Sequence, residues 1–132
     1  MGKNNTKDNW YGETLKYLKN DLYDSHKTKT CLQFLQSSLL HYAICLEIGS
    51  GTYNNNYISY EKICDSIPKK FGSRSTIQAI LNHGVEEKFF IKKFLETDKR
   101  IKTYSFTDEF MNDIEYWINS KAEKINKYKN VA

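Results

Sequence analysis

The chain has 132 residues, 39% of them apolar and 27% charged, which suits one soluble domain able to bury a core, and no apolar run is long enough to cross a bilayer. Residues 1–5 carry no apolar signal region, and Cys31, Cys45 and Cys64 stand in apolar helical settings with no C-x-x-C pair, so they read as small core hydrophobes, no disulfide framework is expected, and a reducing, cytoplasmic setting is. The net charge of +4 is modest but concentrated: residues 66–85 hold Lys69, Lys70 and Arg74 without an acid, and six cations in residues 88–102 face only Glu96 and Asp98. A solvated lysine-rich face gives the same pattern, so the charge alone favours nucleic acid only weakly.

Residues 1–8 are polar and read as a disordered lead. Asp8 or Asn9 then caps a helix to about residue 24, on which Tyr11, Leu15, Leu18 and Leu22 recur at helical spacing. So narrow an apolar stripe needs a partner surface, either the last helix of the same chain or a second subunit. Residues 25–29 end this helix. Thr30 caps the next, where Leu32, Leu35, Leu39, Tyr42, Ala43 and Leu46 alternate by three and four up to Gly49. His41 and Cys45 lie four apart on it, but no further ligand stands at a suitable spacing; both read as packed side chains, and no metal or cofactor is expected. Residues 49–56 are dense in Gly, Ser and Asn and predict a loop, followed by a short edge strand at Tyr57 and Ile58.

Ser59 caps a brief helix with Tyr60, Ile63, Cys64 and Ile67 inward, and Pro68, the only proline, stops it. Residues 69–72 form a turn, and Ser73 caps a second helix. With Ile77 as its buried direction, Ile80, Leu81 and Gly84 fall on the same side; Ser75, Ala79 and Asn82 point away, with Gln78 beside them and Arg74 at the N-terminal end. A short, polar, nearly uncharged face suits entry into a major groove, since Gln and Asn pair with adenine edges, Arg with guanine and Ser with several bases. An ordinary exposed helix face has the same composition. Residues 89–95 read as a strand, 96–100 as a charged hairpin tip and 101–106 as the returning strand, with Lys92, Lys102 and Tyr104 on the outer face. A charged hairpin also keeps a strand pair soluble.

Thr107 starts a final helix, with Asp108 and Glu109 in its first turn and Lys121, Lys124, Lys127 and Lys129 toward its far end, both suited to the helix dipole. Met111, Ile114, Ile118, Lys121, Ile125 and Tyr128 form a seam against another helix, interrupted by Lys121 and too short for a free-standing coiled coil. The order helix, turn, helix, strand, hairpin, strand is that of a winged helix-turn-helix. The expected class is mainly α with a small antiparallel β-wing: one domain over residues 9–132, made of an N-terminal helix (9–29), the winged module (30–107) and a C-terminal helix (108–132).

From Ile58 to Thr107 the chain resembles the MarR-like winged-helix regulators. Thr76-Ile77 opens the recognition helix as in that family, Glu86-Glu87 closes it, and Phe89-Phe90-Ile91 leads into the wing. Asp98-Lys99-Arg100 corresponds to the family's Asp-x-Arg, and Phe106-Thr107 to its Leu-Thr. The resemblance implies a homodimer with one winged helix per half-site, usually a repressor, and an Asp98–Arg100 pair that shapes the wing and presents the cation to the minor groove. Gly84 stands where the family has a large apolar residue and Lys88 where it has Gly, departures that predict a looser recognition helix. A single C-terminal helix in place of two implies a reduced or rebuilt dimer interface. Small plasmid and phage winged-helix proteins share this abbreviated shape.

The expected function is sequence-specific binding of double-stranded DNA by a homodimeric transcriptional regulator. Arg74, Ser75, Gln78 and Asn82 would read the major groove; Lys69, Lys70, Ser73, Lys92 and Lys102 would hold phosphates; and Asp98, Lys99 and Arg100 would form the wing contact. Leu15, Leu18, Leu22, Ile114, Ile118 and Ile125 would make the dimer interface. Two alternatives remain: a plasmid or phage replication or control protein using the same domain, and a winged-helix module whose partner is another protein. With no G-x-S-x-G, no P-loop and no paired carboxylates, the sequence offers no catalytic constellation, and no residue identifies a small-molecule effector.

Overall fold

Proline ends a helix by withholding an N–H, and a serine starts one by accepting from an N–H three residues on; this pair of events sets the middle of the chain. A computed structural model describes residues 6–28 and 30–130, with side chains for 9–24 and 30–126. Its elements are α1 (Thr6–Thr28), α2 (Thr30–Leu35), α3 (Leu39–Tyr53), β1 (Ile58–Ser59), α4 (Tyr60–Ser66), a 3-10 turn (Lys69–Phe71), α5 (Arg74–Glu86), β2 (Phe90–Phe94), β3 (Lys102–Phe106) and α6 (Asp108–Asn130). Ser59 Oγ accepts from Lys62 N at 3.2 Å, Ser73 Oγ from Thr76 N at 3.2 Å and Thr107 Oγ1 from Phe110 N at 3.2 Å, so α4, α5 and α6 each begin on the expected cap. The chain divides into two compact units, Phe34–Asn112, and Met1–Gln33 with Asp113–Ala132.

In the first of these units α3 turns Leu40, Ile44, Cys45, Ile48, Gly49 and Thr52 inward. The single helix expected from Thr30 to Gly49 is broken at residues 36–38. Ser38 is extended there, and its Oγ accepts from His41 N at 3.1 Å, so a local serine cap outcompetes continuation. The loop expected over residues 49–56 is also corrected, because α3 continues to Tyr53. Its glycines serve close approach: a Cβ on Gly49 would lie 2.7 Å from the Phe106 ring, and one on Gly51 2.6 Å from the Asn56 carbonyl oxygen.

The sheet is antiparallel in the order β1-β3-β2, with Ile58 opposite Tyr104 and with Phe90, Lys92 and Phe94 opposite Phe106, Tyr104 and Lys102. Directly opposed residues share a face, so Tyr104 belongs with Phe90 and Phe106 and is buried, not on the outer face expected for it. Lys92 and Lys102 lie on that same face, but nearer the hairpin, where Lys92 is exposed and Lys102 half-buried. Behind the sheet Phe34, Phe89, Phe90, Phe106 and Phe110 pack ring to ring, with Phe106 meeting Phe110 edge-on at 4.5 Å. His41 packs edge-on against Phe34, and burial, with a smaller push from His83, lowers its pKa. Among the described residues no group of three or more His, Cys, Asp or Glu is placed to hold a metal ion.

Helix α5 ends in a Schellman turn: Lys88 N donates to Val85 O at 3.1 Å and Phe89 N to Gly84 O at 2.8 Å. The looser helix expected from Gly84 and Lys88 is not what is seen. Gly84 is buried, and a Cβ there would lie 2.4 Å from the Phe90 ring, so the missing side chain makes room for that ring. Lys88 takes the left-handed conformation at φ 64° that a glycine adopts freely. Lys88→Gly is therefore expected to stabilise the protein by about 0.5–1 kcal/mol, read as a rise in thermal midpoint; an unchanged or lower midpoint would contradict this.

In the other unit α1 begins at Thr6 rather than at the expected cap, Asp8 or Asn9, and the first part of the expected lead, residues 1–5, lies outside the described residues. Lys121, which interrupts the apolar seam of α6, pairs with Asp21 of α1 at 2.5 Å and lies over the Trp117 ring at 4.9 Å. Trp10 Nε1 donates to the Ile125 carbonyl at 3.3 Å, and Cys31 Sγ to Asp113 Oδ2 at 2.9 Å. The side chains of Lys127, Tyr128 and Lys129 lie outside the described residues.

Candidate nucleic-acid interface

Helix α5 presents Ser75, Ala79 and Asn82 to solvent, with Gln78 half-buried beside them, while Ile77, Ile80, Leu81 and Gly84 face the core. Lys69 and Lys70 stand exposed on the turn before it. Ser73 Oγ is engaged at 3.0 Å with both Ser75 Oγ and Thr76 Oγ1. Behind the helix, β2 and β3 carry a hairpin closed by Leu95 N to Ile101 O and Ile101 N to Asp98 O, each 3.0 Å. Three elements thus follow in order: a short helix, a capped recognition helix and a two-stranded wing extending a sheet. The chain is a winged helix-turn-helix.

No protein-family model matches the sequence, and no curated protein matches it. Among solved structures the winged helix is similar to BpsR of Bordetella bronchiseptica, whose DNA binding is regulated by 6-hydroxynicotinic acid, at 15% identity and a TM-score of 0.49 over 85% of this chain and 76% of that one. It is also similar to the adhesin competence repressor AdcR of Streptococcus pyogenes, at 12% identity and a TM-score of 0.45 over 92% of this chain and 80% of that one. Both are winged-helix regulators of the MarR family.

At the hairpin tip Asp98 and Arg100 meet as the MarR-like motif implies. Asp98 Oδ1 accepts from Arg100 N at 3.1 Å and from Arg100 Nε at 3.0 Å, while Oδ2 accepts from the guanidinium at 3.1 Å. The Arg100 side chain, first, and its backbone N–H, second, hold the Asp98 carboxyl below its ordinary range. The arginine nevertheless keeps 90% of its side chain exposed, so the carboxylate orients it without covering it. Lys99 is exposed beside the pair, and the Lys92 ammonium lies 5.9 Å over the Phe94 ring.

Arg74 is placed differently from the free major-groove reader expected. Its guanidinium turns back onto α4, pairing with Glu61 at 2.5 Å and lying 5.3 Å over the Tyr60 ring. That hydrogen bond raises the arginine's pKa and lowers the glutamate's. The sequence reads Tyr60 only as an inward residue of α4 and does not single out Glu61, and nothing local marks either for this cluster, since their partner is on another helix. Lys102 of β3 completes the cluster, its ammonium 5.0 Å over Tyr60 and 3.3 Å from Gln78 Oε1.

The residues expected at a dimer interface divide. Leu15, Leu22 and Ile118 are exposed and Leu18 and Ile125 half-buried, whereas Ile114 is buried in its own chain and offers no free surface. Among the described residues no helix is long and apolar enough to cross a membrane.

Proposed function

We propose that this protein binds double-stranded DNA sequence-specifically as a homodimeric transcriptional regulator, a repressor in kind. The observation that carries the proposal is the pairing of an exposed, uncharged polar face on α5 with a wing whose Arg100 is held by Asp98 yet left open to solvent. Such a helix can enter a major groove while the wing cation lies along the adjacent minor groove. Ser75 and Asn82, with Gln78 half-buried beside them, form the reading face, and the exposed Lys69, Lys70, Ser73 and Lys92 are its phosphate contacts; Lys102, expected with them, is half-buried and turned onto Gln78. The exposed Leu15, Leu22 and Ile118, with Leu18 and Ile125, support the dimer.

The test is selection of bound sequences from a random DNA pool, followed by titration at several salt concentrations. A pseudo-palindromic site with half-sites about one helical turn apart is expected, together with a particle of about twice 15.6 kDa by light scattering. Lys69→Ala and Lys70→Ala should each weaken binding to all sequences alike and lower the salt slope by about 0.9. Absence of any selected motif, or a single-chain mass at high micromolar concentration, would count against the reading.

A second reading has its own observation: Phe94, Leu95 and Ile101 leave an apolar patch exposed on the wing. This favours docking of a protein, and salt separates the two, since an apolar interface responds far less to ionic strength than a set of phosphate contacts. A role in plasmid or phage replication would use the same DNA contacts.

A further inference from the structure

The polar side chains on and beside α5 are linked, and the link has a direction. A lysine ammonium only donates, so the Gln78 atom 3.3 Å from Lys102 Nζ is the amide oxygen. With that oxygen turned toward β3, Gln78 Nε2 donates onward to Asn82 Oδ1 at 3.0 Å, one helical turn along. Lys102 is itself fixed, lying over the Tyr60 ring at 5.0 Å. A second neighbour bears on the same amide: burial pushes the Tyr104 phenol up, and the Gln78 side chain opposes that push. The Tyr104 hydroxyl is buried with no hydrogen bond of good geometry. Gln78 is thus committed within the protein, and Asn82, which is exposed, has its carbonyl arm turned inward and its NH2 arm outward.

Resting on the DNA-binding reading above, we infer that Lys102 is a positioning residue for specificity: through Gln78 it fixes the Asn82 amide with its donors outward, so α5 reads an acceptor edge, guanine N7 and O6 foremost, at the base facing Asn82. The bidentate Asn–adenine pair expected from composition needs the carbonyl arm to face the base, to accept from adenine N6. The relay turns that arm away. Cytosine, which offers only its N4 donor, is rejected for the same reason.

The experiment is selection from a random DNA pool by the full-length wild type, Lys102→Met, Lys102→Arg and Asn82→Ala, each first checked for an unchanged unfolding midpoint. Asn82→Ala identifies the position in each half-site that Asn82 reads, as the one where discrimination disappears. There the wild type should prefer guanine to adenine by roughly fivefold to a hundredfold, and Lys102→Met should lose that preference and gain adenine as the freed amide turns over. Lys102→Arg also only donates and should keep guanine. Loss of a cation alone would weaken all sequences uniformly and leave preference unmoved, so the change in base is the decisive readout. An adenine preference in the wild type, or an identical preference in Lys102→Met, overturns the inference while leaving DNA binding standing. Wild type that selects no sequence overturns the functional reading, and the inference with it.

Discussion

Gly84→Leu, which puts a large apolar side chain in place of the glycine, is expected to destabilise this protein by about 1–3 kcal/mol and to abolish a stable wing. The cause is the Phe90 ring, buried to 2% exposure, whose carbons lie 2.4 and 2.5 Å from where a Cβ on Gly84 would sit. Leucine adds three further carbons into that space. The complementary change, Phe90→Ala, empties a core site and costs about 3–5 kcal/mol by itself. In the double variant the leucine fills part of what the phenylalanine vacates, so the combined cost should fall below the sum of the single costs by more than about 0.5 kcal/mol. Thermal or denaturant unfolding of the three variants measures this. Strict additivity, or an unaltered midpoint for Gly84→Leu, would show that the glycine and the ring do not share the space.

Arg100→Ala is expected to reduce DNA affinity on the order of tenfold, and most on sites flanked by A·T runs, where a narrow minor groove deepens the negative potential. Asp98→Asn should cause a smaller loss, because it removes the carboxylate that orients the guanidinium and leaves the cation in place. The two should not add, since Asp98 acts only through Arg100. Titration of both single variants and the double on two sites differing in flanking A·T content decides the matter; equal binding of wild type and Arg100→Ala on both sites removes the wing from the interface. The pair also sets a pH expectation. A carboxyl whose folded pKa is depressed contributes above its unfolded pKa and loses that contribution as pH falls through the lower folded value, so the ordering of the wing should hold unchanged from about pH 5 to 8.

What the sequence made legible is what depends on neighbours along the chain. Ser59, Ser73 and Thr107 cap, Pro68 stops, and Asp98 with Arg100 pairs across one residue; each needs only local geometry, and each stands where the pattern put it. Distant partners were not legible. Gly49 and Gly51 carry the composition of a loop but sit in a helix, because the Phe106 ring and the Asn56 carbonyl approach too closely for any side chain. Tyr104 shares a face with Lys92 and Lys102, as alternation gives, but that face is covered by the core at its base and open only toward the hairpin, which alternation alone does not reveal. At the candidate interface the outward face of α5 is legible from spacing, while the Glu61 partner of Arg74 and the Lys102 partner of Gln78 lie on other elements that no spacing announces. The break at Ser38 did have a local signal, a serine pair in mid-helix, that the apolar periodicity on either side masked.

The hydroxyl of Thr52 ties the base of the wing to α3. It donates to the Ile48 carbonyl at 2.8 Å within α3 and accepts from the Phe106 amide at 3.0 Å, the last residue of β3, and both contacts are buried. A strand-end amide normally frays and exchanges its hydrogen with solvent early. Here that amide opens only if the helix gives up its hold, so the base of the wing and α3 belong to one cooperative unit in hydrogen exchange. The hairpin tip, exposed and tied by its own turn, is outside that unit. Hydrogen exchange is therefore expected to be slow at the root of the wing and fast at its tip, the end that carries Lys99 and Arg100.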